Sequence, residues 1–381
     1  MIVTDRKSEL DRLLLTAAQT LDLTETEYGQ AKSRYQAVGD WLGAAASPLY
    51  HYNTNVYVQG SFLLGTCVRP FGRKEFDIDL VCQLEVPDHM SQRDVKDLVG
   101  RRLKEHATYR RMLKEKNRCW QIVYAGEFHL DVLPAKPDEH GATATAVLVP
   151  DSELSRWKAS DPKGYAHWFA EEKARSRYEA VHGAGTRFLE RAGVEPVPPK
   201  ERPFQKTPLQ FAVQLLKCHR DIHFQGSQNA PISMIITTLA GHSYEGQGDI
   251  LSTMEHVLES MPTYVEYENG VAYVRNPVNP EENFAEKWQK HPERRQAFDD
   301  WNAKAISDLR LLRESGLQNL IDPLSRFLGE DRADAAYHRF ANTITEQRGR
   351  GLMVDPTTGL LAAGTPWAIP VRKNTFFGGR V

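Results

Sequence analysis

Three aspartates stand where carboxylates can do chemistry. Asp77 and Asp79 lie in the alternating run FDIDLVCQL (76–84), and Asp131 lies in EFHLDVLPA (127–135) between Leu130 and Val132. On a strand, residues i and i+2 project to one face. Asp77 and Asp79 therefore share a side, while Phe76, Ile78 and Leu80 share the other. Two carboxylates so close repel unless a cation lies between them. A third carboxylate from a neighbouring strand would complete an all-oxygen site for a hard divalent ion such as Mg²⁺, which takes carboxylates together with substrate phosphates. Two such ions, roughly 3.5–4 Å apart, stabilise the attacking and leaving oxygens of a phosphoryl displacement. The competing reading of Asp-x-Asp is a solvated strand face. Apolar residues flanking all three acids favour the cation site.

Gly60-Ser61 follows another alternating run, residues 54–59, and opens the short segment FLLGT. Glycine lets the backbone approach a ligand closely. The N–H groups that start the next helix, with the serine hydroxyl, could hold the β- and γ-phosphates of a nucleotide. Taken alone the dipeptide reads as a turn.

The chain that must position these groups has 381 residues, 41% hydrophobic and 26% charged. That is a globular balance with material for a large core, and it excludes a wholly disordered chain. Lys plus Arg number 48 against 50 Asp plus Glu, so no basic excess marks a protein built to coat nucleic acid. Cys67, Cys82, Cys119 and Cys218 form no C-x-x-C pair, which argues against a disulfide scaffold or a four-thiolate zinc site. No secretory signal is legible, and the longest nearly apolar run, PISMIITTLA (231–240), is about half a membrane span. These features predict a soluble cytoplasmic protein.

The periodicity predicts a helix over 8–46, strands at 54–59 and 76–84, and a β-hairpin of 119–125 and 127–135 joined at Gly126. Residues 91–118, with ten Lys/Arg against four Asp/Glu, read as a basic solvated helix. Residues 136–160 read as loop, and helix resumes near 161–191. The run GVEPVPPKERP (193–203) holds four prolines in eleven residues and reads as a linker. Helices are expected at 207–223, 231–242, 248–260 and through 281–347.

GSFLLGT, DIDLV and HLDVLP in this order resemble the DNA polymerase β-like nucleotidyltransferases. LQFAVQLLKCHRDIHF (209–224), PISMIITTLA and NPVNPEENFAEKW (276–288) are similar to the helical half of the bacterial cGAS/DncV-like nucleotidyltransferases, the CD-NTases. The resemblance covers roughly residues 10–345. It implies an α+β, two-lobed enzyme: an N-terminal mixed twisted sheet with helices (1–192), a Pro-rich linker (193–206), a helical C-terminal lobe (207–350) and an irregular tail (351–381). It implies a synthase that joins nucleoside triphosphates into a cyclic oligonucleotide messenger and releases pyrophosphate. Asp77, Asp79 and Asp131 would hold two Mg²⁺ ions, with Mn²⁺ as a substitute. Gly60, Ser61, Lys217 and Ser233 would bind the donor's phosphates. One departure stands out: fifteen residues separate Ser61 from Asp77, slightly more than the family's common spacing, the excess falling in RPFGRKE (69–75).

The residues themselves agree. The stretch 209–216 is apolar nearly all round, so it is buried, and Lys217 at its end faces a cleft, a partner or solvent. Ser233 suits a helix N-cap as well as a phosphate contact. His219-Arg220-Asp221 imitates a kinase catalytic loop, but Gly226 stands where that loop needs Asn. Gly60–Thr66 has the span of a P-loop without its lysine. His219 and His223, one helical turn apart, could share a metal. The resemblance further implies an anti-phage setting with a product-activated effector, and a ubiquitin-transfer-like partner acting on the tail Phe376–Val381. It gives no membrane role, and no His-Cys-Cys zinc insertion points to obligatory DNA. Rival readings are an RNA-tailing or small-molecule-modifying nucleotidyltransferase and a non-catalytic nucleotide- or RNA-binding module.

Overall fold

The computed structural model describes residues 6–69, 76–124, 126, 128–153, 155–175, 193–316, 319–349, 353–354 and 369–370. The expected first helix is two: α1 (Arg6–Leu21) and α2 (Glu25–Gly43). Thr24 breaks them. Its hydroxyl accepts from the Glu27 N–H at 3.1 Å while the Glu27 carboxylate accepts from the Thr24 N–H at 2.7 Å. This reciprocal capping box starts a new helix.

There follow β1 (Asn55–Gln59), α3 (Gly60–Leu64), β2 (Phe76–Gln83), α4 (Gln92–Glu105), α5 (Ala107–Met112), β3 (Leu113–Glu115), β4 (Trp120–Tyr124) and β5 (Phe128–Pro137). Next are β6 (Val147–Asp151), β7 (Arg156–Ser160), α6 (Pro162–Ala174) and β8 (Gly193–Val194). The strands make one mixed sheet in the order β3-β4-β5-β2-β1-β8, and β6 and β7 extend it from the end of β5. β2 and β5 run parallel; β1–β2 and β4–β5 are antiparallel, the latter being the expected hairpin.

Two expectations are corrected here, and a third region gains a short strand. The basic stretch 91–118 is not one solvated helix: it ends in β3, and Lys96 is buried, its ammonium donating to Ser152 Oγ at 2.9 Å and paired with Glu115 at 3.1 Å. The stretch 136–160 is not loop, because β6 and β7 pair there. The proline-rich run starts as a strand, with β8 parallel to β1. The expected helix 161–191 begins as α6; its remainder lies outside the described residues, as do most of RPFGRKE and the tail Phe376–Val381.

The second half holds α7 (Pro208–His223), α8 (Ser233–Ser243), α9 (Ile250–Ser260), the small strands β9 (Glu266–Glu268), β10 (Val271–Tyr273), β11 (Arg275–Asn276) and β12 (Asn279–Asn283), then α10 (Lys287–Lys290), α11 (Pro292–Glu314), α12 (Ile321–Leu328) and α13 (Glu330–Gly349). Short strands at Met353–Val354 and Ile369–Pro370 pair with each other.

Two cores result. One lies under the sheet and joins Val56, Ile78, Leu80, Leu130 and Val132 to α2 and α4. The other is helical, around Leu216, Ile236, Trp301 and Phe327, and it takes in α1 through Leu10, Leu13, Leu14 and Leu21 and α6 through Tyr165 and Phe169. Each fully buried leucine contributes about 1.5–3 kcal/mol. The N-terminal helix is therefore firmly bound to the helical lobe, although it precedes the sheet in the chain.

Candidate active site

The acids are placed by strand register. In the parallel β2–β5 pair, Asp79 lies opposite Asp131 and Asp77 opposite His129. Burial alternates as the period predicts: Phe76, Ile78 and Leu80 are buried, Asp77 is exposed, and Asp79 and Asp131 are half-buried. Desolvation pushes the Asp79 carboxyl up to about 7, and the negative charges of Asp131 and Asp77 push the same way against Lys217. This is the electrostatic strain a cation relieves. On the other side of β5, Gln121 faces Asp131 in the β4 register and donates its Nε2 to Oδ1 at 2.9 Å.

The donor set is all oxygen, which suits a hard ion such as Mg²⁺ or Mn²⁺. Among the described residues, no three His, Cys, Asp or Glu side chains close around one point.

Gly60 explains its own identity. Gln59 pairs with Asp79 across β1–β2, so the next residue leans on the acid. Its φ is +66°, and a Cβ there would stand 2.6 Å from Asp79 Oδ2. Only glycine fits. Ser61 comes next, its Oγ 3.2 Å from Cys67 Sγ.

Lys217 reaches the same turn from α7. It is 5% exposed, which decides against a solvent-facing lysine. Its Nζ donates to Thr66 O at 3.2 Å and Thr66 Oγ1 at 3.1 Å. Burial pushes its ammonium down to about 8. Ser233 opens α8 but does not cap it: the cap position is Ile232, and the Ser233 hydroxyl accepts from Arg220 Nη1 at 3.0 Å. A cavity of about 200 Å³ brings together Ser61, Asp77, Lys217 and Ser233, joined by Arg220 and Arg332. Asp79 and Asp131 do not line it; Asp77, two residues from Asp79 along β2, does.

Sequence reasoning missed both arginines and Gln121. Arg220 stood inside the kinase-like HRD, and nothing in the local pattern marked Arg332. The His219/His223 alternative is corrected. Trp301 Nε1 donates to His219 Nδ1 at 2.9 Å, and His219 Nε2 faces Asp308 at 3.3 Å, so both ring nitrogens are occupied.

Residues 9–172 match the Second Messenger Oligonucleotide or Dinucleotide Synthetase (SMODS) domain. The chain is 30% identical to a c-di-GMP synthase of Roseivirga ehrenbergii, over 99% of this chain and 100% of the relative. It is 23% identical to the cyclic dinucleotide synthase CdnG of Bradyrhizobium diazoefficiens, over 97% and 95% of the two chains. The fold is similar to that of the same organism's CD-NTase CdnG in complex with GTP, with a TM-score of 0.70 at 21% identity over 87% of this chain and 99% of that one. Identity sustained from end to end, with the matched synthetase domain, places the chain in the bacterial cGAS/DncV-like nucleotidyltransferases (CD-NTases), built on the two-lobed polymerase β-like fold.

Proposed function

We propose that the protein is a divalent-metal-dependent synthase of a cyclic dinucleotide, with GTP as its expected substrate. The observation that carries this reading is the pairing of Asp79 with Asp131 across β2–β5, with Gly60 against Asp79 and the Lys217 charge acting on it. The choice of guanine rests on the c-di-GMP synthase that is 30% identical along the whole chain.

Asp77, Asp79 and Asp131 are the residues that would hold Mg²⁺, two ions in all. Bound there, the metal neutralises phosphate charge and lowers the pKa of the attacking ribose hydroxyl. Gly60 gives the backbone its close approach, and the Ser61 and Ser233 hydroxyls with the Lys217 ammonium hold the donor's phosphates. A ribose hydroxyl of one nucleotide attacks the α-phosphorus of the other; the P–O bond to the β-phosphate breaks and pyrophosphate leaves. A second attack of the same kind within the linear product closes the ring and releases a second pyrophosphate.

The further reading is an anti-phage role in the cytoplasm. The ring would activate an effector, and a ubiquitin-transfer-like partner would act on the C-terminal tail. Among the described residues no helix is long and apolar enough to cross a membrane.

Incubation with ATP, GTP, CTP and UTP plus Mg²⁺, without primer, tests the reading by product mass. A phosphatase-resistant product with the mass of two guanylates less two waters is expected. Tailing of RNA in a parallel reaction that contains it, or no product with any metal, overturns it.

A further inference from the structure

Gln210, Gln214 and Lys217 recur on α7 at i, i+4 and i+7, the spacing of one helical face. All three are buried, the two glutamines completely. Around them the helix is apolar. Polar groups so placed are costly unless each is hydrogen-bonded.

All three bond one short segment, the turn after α3. Gln210 Nε2 donates to Leu64 O at 3.0 Å, Gln214 Nε2 to Cys67 O at 2.6 Å, and Lys217 Nζ to Thr66 as described. Their backs are anchored by acids. Gln214 also donates to Asp22 Oδ1 at 2.7 Å, where Lys206 forms an ion pair, and Gln210 contacts Glu201, which pairs with Lys173 at 2.8 Å.

The fit is close. Gly65 has φ +68°, and a Cβ there would lie 2.5 Å from Gln210 Nε2. The turn in turn fixes Ser61, whose carbonyl accepts from the Gly65 N–H and, at 3.0 Å, from the Thr66 N–H.

We propose that Gln210 and Gln214 are positioning residues for nucleotide binding: through the Leu64–Cys67 turn they set Ser61 and Lys217 against the triphosphate. The inference rests on the synthase reading above but assigns a different part of the chain. Neither glutamine contacts the phosphates; each acts through the turn. Loss of either leaves a buried carbonyl without its donor and lets the turn move away from α7.

Gln214→Met and Gln210→Met keep the unbranched shape and remove the donors. Affinity for the β,γ-imido analogues of GTP and ATP is measured by calorimetry with Mg²⁺, together with KM, kcat and thermal midpoint. Each variant should raise the analogue Kd and KM 5- to 50-fold and change kcat less than threefold. A purely structural role predicts a lower midpoint with unchanged KM, and that result in a folded variant overturns the proposal. If either variant fails to fold, Gly65→Ala decides, since its Cβ would meet Gln210 Nε2 at 2.5 Å and push the glutamine off the turn; an unchanged Kd there overturns the proposal. Wild-type protein that binds neither analogue defeats the synthase reading itself, and the inference with it.

Discussion

The strand wall and the helix wall of this site hold their groups by different means. Asp77, Asp79 and Asp131 are placed by main-chain ladders: the alternation of β2 sets the face, and the β2–β5 register sets the neighbour. Lys217 and the turn it touches are placed by buried side chains reaching from α7 across to α3. Groups fixed by backbone can be exchanged for isosteres at little cost to the fold. Groups fixed by buried side chains carry packing and chemistry together.

The comparison breaks most directly at the acids. Asp77→Asn with Asp79→Asn should lower product formation by at least about 10³-fold, since both lose their charge toward the metal. The metal-free thermal midpoint should not fall, because the repulsion that raises the Asp79 pKa is gone. Product from four triphosphates, read by mass, together with a melting curve, checks both halves.

On the helix wall, Lys217→Met should raise KM for the triphosphate by about 10- to 100-fold, as expected for a desolvated charge facing phosphate. The wild-type ammonium, pushed down to about 8, carries its proton below that pH and loses it above. kcat/KM should therefore decline as pH rises through about 8 in the wild type, and the methionine variant should lack that inflection. A pH–rate profile of both proteins decides.

Gly60→Ala tests the contact between the turn and the acids. The new Cβ would meet Asp79 Oδ2 at 2.6 Å, and the left-handed backbone adds about 1–2 kcal/mol of strain. Mg²⁺ should then raise the thermal midpoint far less than in wild type, with affinity about tenfold weaker by titration.

Away from both walls, Trp301→Phe removes the donor to His219 Nδ1 inside the helical core. An unsatisfied buried acceptor costs about 1–3 kcal/mol. Denaturant unfolding should show that loss with kcat and KM unchanged; a change in KM would mean that the helical core and the phosphate pocket are more tightly coupled than this contrast allows.

Much of the strand wall was legible. Phe76, Ile78 and Leu80 alternate with Asp77 and Asp79, Gly126 marks the β4–β5 hairpin, and the apolar stretch 209–216 announces α7. The misses share a cause. β3, β6 and β7 are held by main-chain pairing, and residues such as Lys114, Pro150 and Lys158 give them no clean apolar alternation. The break at Asp22–Thr24 was missed because the helical apolar pattern continues on both sides of a capping box that only local hydrogen bonds reveal. Arg332 was invisible, since α13 brings it to a pocket whose other residues, from Ser61 to Ser233, all lie far upstream in the chain.

The sequence by itself determined which acids share a face, because that follows from the covalent two-residue period of a strand. It marked Gly60 as a place for close backbone approach, though not what a side chain there would strike; the same constraint at Gly65 came only with the structure. Tertiary structure alone decided that Asp131 lies beside Asp79, that α7 backs the Gly60 turn and that α1 joins the helical core. Those neighbours are fixed by the burial free energy of the whole chain, which no local window contains.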